Sequence, residues 1–249
     1  MVEDGLFQRF PCDAVFALHN WPGLPVGCFG FLPGAFMASA DTVTIRINGR
    51  GGHGAMPHET ADPVVAAASL VMALQTVVAR NLPPLDMGVV GIGSIHGGGS
   101  STVVPTCVEL AITVRALKEA TRRLLLQRIE ALAHAQAAAF GTTAEVTVDA
   151  NAYPVLYNHP EETDLARSVA LSWLGEDGVV PDMQPMTCSE DFSFMLKACP
   201  GSYLIMGNGQ GTEGGCPLHN PGYDFNDAAL PYGASYWVKL VSTYLKPAD

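Results

Sequence analysis

His19 and His219 lie 200 residues apart, and each stands in a short stretch that sets one imidazole among Asn, Pro and Gly: ALHNWPGLPVG and CPLHNPGYDFND. A metal-ligating imidazole must be neutral and aimed. A Pro- and Gly-constrained loop aims it better than a mobile turn does, so both histidines read as loop-borne metal ligands. The other donors of such a site are harder to find. The chain has no H-x-H, C-x-x-C or H-E-x-x-H pattern, whereas a catalytic metal site usually draws on three or more protein ligands.

Other residue types capable of chemistry stand nearby in the sequence. His96, followed by glycines 97–99, reads equally as a pocket-facing residue or a turn residue. Ser189, Glu190 and Asp191 of the tetrapeptide SEDF read either as the lining of a metal site or as the acidic start of a helix, where carboxylates favour the positive end of the helix dipole. The Gly-rich runs GGHG and GGG lack the G-x-x-x-x-G-K-[ST] spacing, so tight turns account for them better than a phosphate loop.

Composition narrows the partners. Thirteen basic against 24 acidic residues give a net charge of −11 with no basic cluster, which argues against a nucleic-acid surface. The N-terminus is acidic and has no apolar run of the signal-peptide kind. The longest apolar stretch, residues 63–79, is shorter than the roughly 20 residues of a spanning helix. It therefore reads as a buried helix, and a cytoplasmic protein with no membrane partner is expected. Six cysteines scattered without paired spacing suggest reduced thiols, several of them buried.

These residues must be held by elements, and the middle of the chain shows them best. In residues 41–49, Val43, Ile45 and Ile47 alternate with polar residues, the period of a strand with one wet face. Residues 108–115 and 145–149 repeat the alternation, and residues 87–95 form a fourth, more apolar strand. Helices are expected over 62–81, with Asp62 as N-cap and Pro63 at the first position, and over 119–140, where Leu125, Ile129 and Leu132 recur and Gly141 caps the end. The resulting order is βαββαβ, a ferredoxin-like module over residues 41–152. The flanks, 1–40 and 153–249, carry a short strand at 14–18 and further elements at 162–174, 192–197, 203–206 and 232–245. They read as one α/β domain into which the module is inserted.

Taken in order, ALHNWPGLPVG, INGRGGHGAMPHETADPV, GGGSSTVVP, TVRAL, SEDF and LHNPGYDFND resemble the M20 metallopeptidase superfamily, in particular its amidohydrolase branch of hippurate hydrolases, N-acyl-amino-acid amidohydrolases and plant auxin-conjugate hydrolases. The resemblance implies a zinc-peptidase-like catalytic domain holding two divalent metal ions (Zn, Mn, Co or Ni), with an inserted ferredoxin-like lid that also makes a homodimer. It implies metal-ligand roles for His19 and His219. His53 matches the lid histidine that polarises the scissile carbonyl, commonly in the partner's site. Arg115 corresponds to the arginine associated with the substrate carboxylate, and His96 and Thr102 fall where substrate is bound. The implied reaction is hydrolysis of an N-acyl amino acid.

The departures from the family pattern carry equal weight. A Cys-x-His motif, a bridging carboxylate and a Glu-Glu pair supplying the general base all belong to the family's upstream half, and this sequence has none of them. Met1-Val-Glu-Asp-Gly resembles the stretch just after that pair, so the chain is expected to begin in mid-domain. Alone it is expected to bind no metal and to be inactive. The alternative is a non-catalytic remnant that dimerises and binds carboxylates. Thr102 stands where the family usually has Asn.

Overall fold

The computed structural model describes residues 1–245. In chain order α1 (Leu6–Arg9), β1 (Val15–Pro22), β2 (Phe29–Gly30), β3 (Gly34–Met37), β4 (Ser39–Asn48) and β5 (Gly52–His53) lead into α2 (Pro63–Asn81). Next come β6 (Gly88–Gly97), β7 (Val103–Val104), β8 (Cys107–Ala116), α3 (Glu119–Ala139) and β9 (Thr143–Val148). The chain continues through β10 (Leu156–Asn158), α4 (Pro160–Leu174), α5 (Ser193–Ala198), β11 (Gly201–Gly209) and α6 (Leu230–Tyr244). These elements gather into two compact α/β units. The first holds Met1–Phe36, Leu156–Pro185 and the residues from Asp191 onward; the second holds Met37–Val155 and the short stretch Met186–Glu190.

In the second unit the alternation along β4 decides which face is buried. Val43, Ile45 and Ile47 pack with Val108, Leu110, Ile112 and Val114 of β8, while Thr42 and Arg46 stay exposed. The sheet runs β6-β8-β4-β9, each neighbouring pair antiparallel. α2 and α3 join its apolar core. The Asp62 carboxylate accepts from the backbone N–H of Val64 at 2.8 Å with Pro63 at the first helical position, so α2 starts as its sequence dictates. By length and composition α2 could cross a membrane. Here its Ala66, Ala67, Leu70, Leu74 and Val77 are buried in the core.

α3 buries Leu125, Ile129, Ala133 and Ala137 in a four-residue repeat, and Leu132, half-buried, packs against the same core. A ridge that small at its C-terminal half lets another helix approach closely, and Ser69 of α2 donates to Gln136 of α3 at 2.7 Å. Gly141, at φ 68°, ends α3, with the N–H groups of Gly141 and Thr142 returning to Ala138 and Ala137. One charge pair is built into this core. Arg122 of α3 grips the Asp41 carboxylate with Nε and Nη2 at 2.8 and 2.7 Å, and the Asp41 side chain is 0% exposed.

In the first unit β1 runs parallel to β11, and β2 pairs with β11 antiparallel. Every residue of β11 is buried. Phe29, Leu204, Met206, Ala166, Val169 and Tyr236 share a core, with the Phe29 and Tyr236 rings stacked at 4.9 Å. Two expectations are corrected here, on the first strand and on the cysteines. The first strand runs to Pro22 instead of stopping at Leu18, so His19 is strand-borne and not loop-borne: its backbone lies in the β11 ladder opposite Ile205. The Nδ1 of His159 accepts from the backbone N–H of Gly201 at 3.2 Å. Of the six cysteines only Cys199 is buried.

Candidate functional site

His19 sits near the C-terminal end of β1, the end at which open α/β sheets place their ligands. Its Nδ1 lies 2.7 Å from the carbonyl oxygen of Asn20. A carbonyl can only accept, so Nδ1 carries the proton and Nε2 keeps the lone pair. That is how a ligand imidazole is oriented by its second nitrogen. The next residue ties this strand end to another segment: the Asn20 amide donates to Asn208 Oδ1 at 3.4 Å and to the Tyr223 hydroxyl.

Asn208, fully buried near the end of β11, organises the segment carrying His219. Its amide donates to the carbonyls of Gly214 and Asp224 at 2.9 and 3.1 Å, and its Oδ1 accepts from the N–H of Asn226 at 3.0 Å. The fit leaves no room for side chains, since a Cβ on Gly214 would lie 2.0 Å from the Asn208 carbonyl oxygen. His219 itself is exposed and adopts φ 64°, a left-handed conformation that costs a non-glycine residue on the order of 1 kcal/mol. A cavity of about 380 Å³ opens in this segment, bordered by Glu213, Asp224 and Asp227. Sequence reading missed Asn20, Asn208 and Tyr223, although Asn20 and Tyr223 lie within the motifs bearing the two histidines.

In the second unit, β5 and β7 pair as a two-stranded ribbon that sets His53 opposite Val103. The ribbon brings the GGHG and GGGSSTVVP stretches together. Gly54 donates to the Thr102 carbonyl at 2.8 Å, and a Cβ on Gly51 would lie 2.7 Å from the Val104 carbonyl oxygen. His53 is exposed, and its Nδ1 accepts from the backbone N–H of Ala55 at 3.0 Å. The neutral ring therefore has its proton on Nε2, a donor held ready for an external oxygen. The Thr102 hydroxyl is engaged with Ser100 Oγ at 3.0 Å.

Arg115, half-buried near the C-terminal end of β8, donates from Nη1 to Ser189 Oγ at 3.0 Å. Among the described residues no carboxylate forms an ion pair with it. Its guanidinium borders a cavity of about 270 Å³ with Thr42, Asp149, Asn151, Tyr153 and Ser189. The Asp149 carboxylate is turned onto its own loop, accepting from the backbone and side-chain nitrogens of Asn151 at 2.8 and 3.1 Å. SEDF is divided between the units, Ser189 and Glu190 in the second and Asp191 in the first. The helix after it starts only at Ser193, and the Asp191 carbonyl accepts from Phe194 at 3.0 Å.

His53 and Arg115 lie at opposite ends of the second unit's sheet. β7 leads into the start of β8 at Cys107, whereas Arg115 is eight residues further on, about 27 Å at roughly 3.4 Å per residue. An acylated amino acid, two residues long at most, spans about 7 Å. His96 shares the His53 end, in register with Glu109, and is exposed.

His19 suits a metal ion by its tautomer, but two donors do not enclose one. Among the described residues no group of three or more His, Cys, Asp and Glu side chains could hold a metal ion.

Comparison with known proteins gives this geometry its context. The family model described as peptidase family M20/M25/M40 matches residues 1–243. Hippurate hydrolase of Campylobacter jejuni is 38% identical over 99% of the chain, which covers 63% of that relative. N-acetyl-L-cysteine deacetylase of Bacillus subtilis is 35% identical over 96% of the chain, which covers 55% of it. Among solved structures, a dinuclear metal-binding peptidase of the M20 family from Bacillus subtilis aligns with a TM-score of 0.79 and 28% identity, over 98% of this chain and 60% of its own. The chain thus spans 55–63% of the length of these relatives.

Proposed function

The chain belongs to peptidase family M20/M25/M40, and from that premise we propose a metal-dependent amidohydrolase that cleaves the amide bond of an N-acyl amino acid. The observation that carries this reading is Arg115, a half-buried cation beside a small polar cavity, with no carboxylate among the described residues in an ion pair with it. Such a guanidinium suits the free carboxylate of an acylated amino acid, which it can hold by two parallel hydrogen bonds. His53, protonated on Nε2, donates to the scissile carbonyl oxygen as negative charge develops there. His19 and His219 serve as metal ligands, with Asn208 and Tyr223 fixing the segments that bear them. Zinc, manganese, cobalt or nickel would suit these imidazoles, and a bound divalent ion supplies Lewis acidity toward a carbonyl and acidifies water. Further donors and the general base are, in this proposal, supplied from outside the described residues, none of which completes the set. The isolated chain is accordingly inactive in this reading.

The second unit acts as the ferredoxin-like lid and dimerisation domain. The separation of His53 from Arg115 supports a homodimer in which each substrate meets Arg115 of one chain and His53 of its partner. His96 and Thr102 then flank the carbonyl end, and Glu190 and Asp191 line the metal side. A cytoplasmic enzyme without membrane or nucleic-acid partners fits the composition. The rival reading, a non-catalytic dimerising module that binds carboxylates, is favoured by the lack of a closed donor set among the described residues.

One experiment separates the two. The 249 residues are joined behind the N-terminal segment of a full-length relative, and hydrolysis of hippurate and N-acetyl amino acids is followed with and without divalent metal. Metal-dependent turnover, abolished together with metal content by His219→Ala, is expected of the enzyme. A folded, dimeric fusion that loads metal but turns over no N-acyl amino acid would overturn the proposal.

A further inference from the structure

Two cysteines that the sequence separates by 187 residues meet in the first unit. The sulfurs of Cys12 and Cys199 are 3.8 Å apart, and the Cys199 thiol also reaches the Cys12 carbonyl at 3.5 Å. Cys199 is 5% exposed and Cys12 is open to solvent. Both lie just ahead of the parallel pair β1 and β11: Val15 donates to Pro200 at 2.9 Å and faces Gly201 in the ladder. A disulfide needs an S–S distance near 2.05 Å, so the sulfurs must close by roughly 1.8 Å. Cys12 lies in an irregular stretch between α1 and β1, outside any helix or strand, and is free to make that adjustment.

We propose that Cys12 and Cys199 form a reversible dithiol–disulfide pair, closed by exchange with a low-molecular-weight disulfide. The Cys12 thiolate attacks one sulfur of the small disulfide and expels the first small thiolate, leaving a mixed disulfide on Cys12. The Cys199 thiolate then attacks the Cys12 sulfur and expels the second. Two protein thiols are oxidised, one small disulfide is reduced to two thiols, and the two protons lost by the cysteines are taken up by the expelled thiolates. The order follows from the surroundings. Burial, the hydrogen bond that the Cys199 thiol makes to Cys12, and the negative fields of Cys12, Asp13 and Glu162 push the Cys199 thiol up to about 11, so the open Cys12 reacts first and Cys199 resolves. The bridge would fasten the starts of the two strands whose far ends carry His19 and Asn208. This inference does not rest on amide hydrolysis.

The reduced chain, kept native, is incubated with oxidised glutathione, quenched with acid and mapped by mass spectrometry. A peptide pair joining Cys12 to Cys199 is expected, and four of the six thiols should remain titratable. The melting temperature should rise by roughly 5–15 °C, because the bridge closes a loop spanning most of the chain, and should fall back on adding dithiothreitol. Cys12→Ser should abolish bridge and shift together, and Cys199→Ala should trap glutathione on Cys12. If Cys199→Ala does not fold, Cys12→Ser at its exposed position serves as the control. Native chain that keeps glutathione on Cys12 without bridging, or that bridges a different pair, would overturn the proposal.

Discussion

If one substrate needs both His53 and Arg115, the geometry of the second unit obliges two chains to supply them. The two residues flank opposite ends of β8, about 27 Å apart along the strand at roughly 3.4 Å per residue, against a substrate of about 7 Å. Side chains cannot close that gap. The perturbation is a pair of variants, His53→Ala and Arg115→Ala, each made in the 249 residues joined behind the N-terminal segment of a full-length relative. Each alone should lower kcat/KM: His53→Ala by roughly 10²–10³ through lost stabilisation of the oxyanion, and Arg115→Ala by about 10–10² through a lost charged hydrogen-bonding pair. Mixed in equal amounts and allowed to exchange, half the dimers combine the two variants. In each such dimer one site has both residues intact and the other lacks both, so about a quarter of the native activity should return. The assay is hydrolysis of an N-acyl amino acid, with exchange verified by native mass spectrometry. Full exchange with activity no higher than the sum of the parents would refute the reasoning.

Three further outcomes follow from particular contacts. Arg122→Met leaves the buried Asp41 carboxylate without its partner, so urea unfolding should show a loss of about 3–5 kcal/mol; a change below about 1 kcal/mol would mean that Asp41 finds water or another donor. Tyr236 donates to the Ala166 carbonyl at 3.0 Å, and burial raises its phenol well above its ordinary value of 10. Its contribution, about 1 kcal/mol relative to Tyr236→Phe, should be fully present below pH 10 and should shrink as pH rises further, because the unfolded phenol ionises while the folded one does not. Equal slopes of stability against pH for the two proteins above pH 10 would contradict this. Asn208→Ala unfastens the His219 segment, so hydrogen exchange over residues 210–226 should accelerate at a stability cost of about 1–3 kcal/mol, and unchanged exchange there would show that other contacts hold the loop.

Much of the second unit was legible because its signals are local. The two-residue alternation of Val43, Ile45 and Ile47, the capping of α2 by Asp62 and the left-handed glycine after α3 each depend on neighbours within one pleat or one turn. The motifs around His19, His53 and His219 could be located for the same reason, since their Gly and Pro spacing is written in consecutive residues. His19 was nonetheless misplaced in a loop, because only a ladder to Ile205, 186 residues away, carries the strand past Leu18. The meeting of Cys12 with Cys199, the grip of Asn208 on the His219 segment and the Ser189 partner of Arg115 have no local signal at all. Nor does the separation of His53 from Arg115, which is set by the length and direction of β8. Such contacts depend on which strands pair and in what register. That is a property of burial and hydrogen bonding across the whole sheet, and the spacing of neighbouring residues does not encode it.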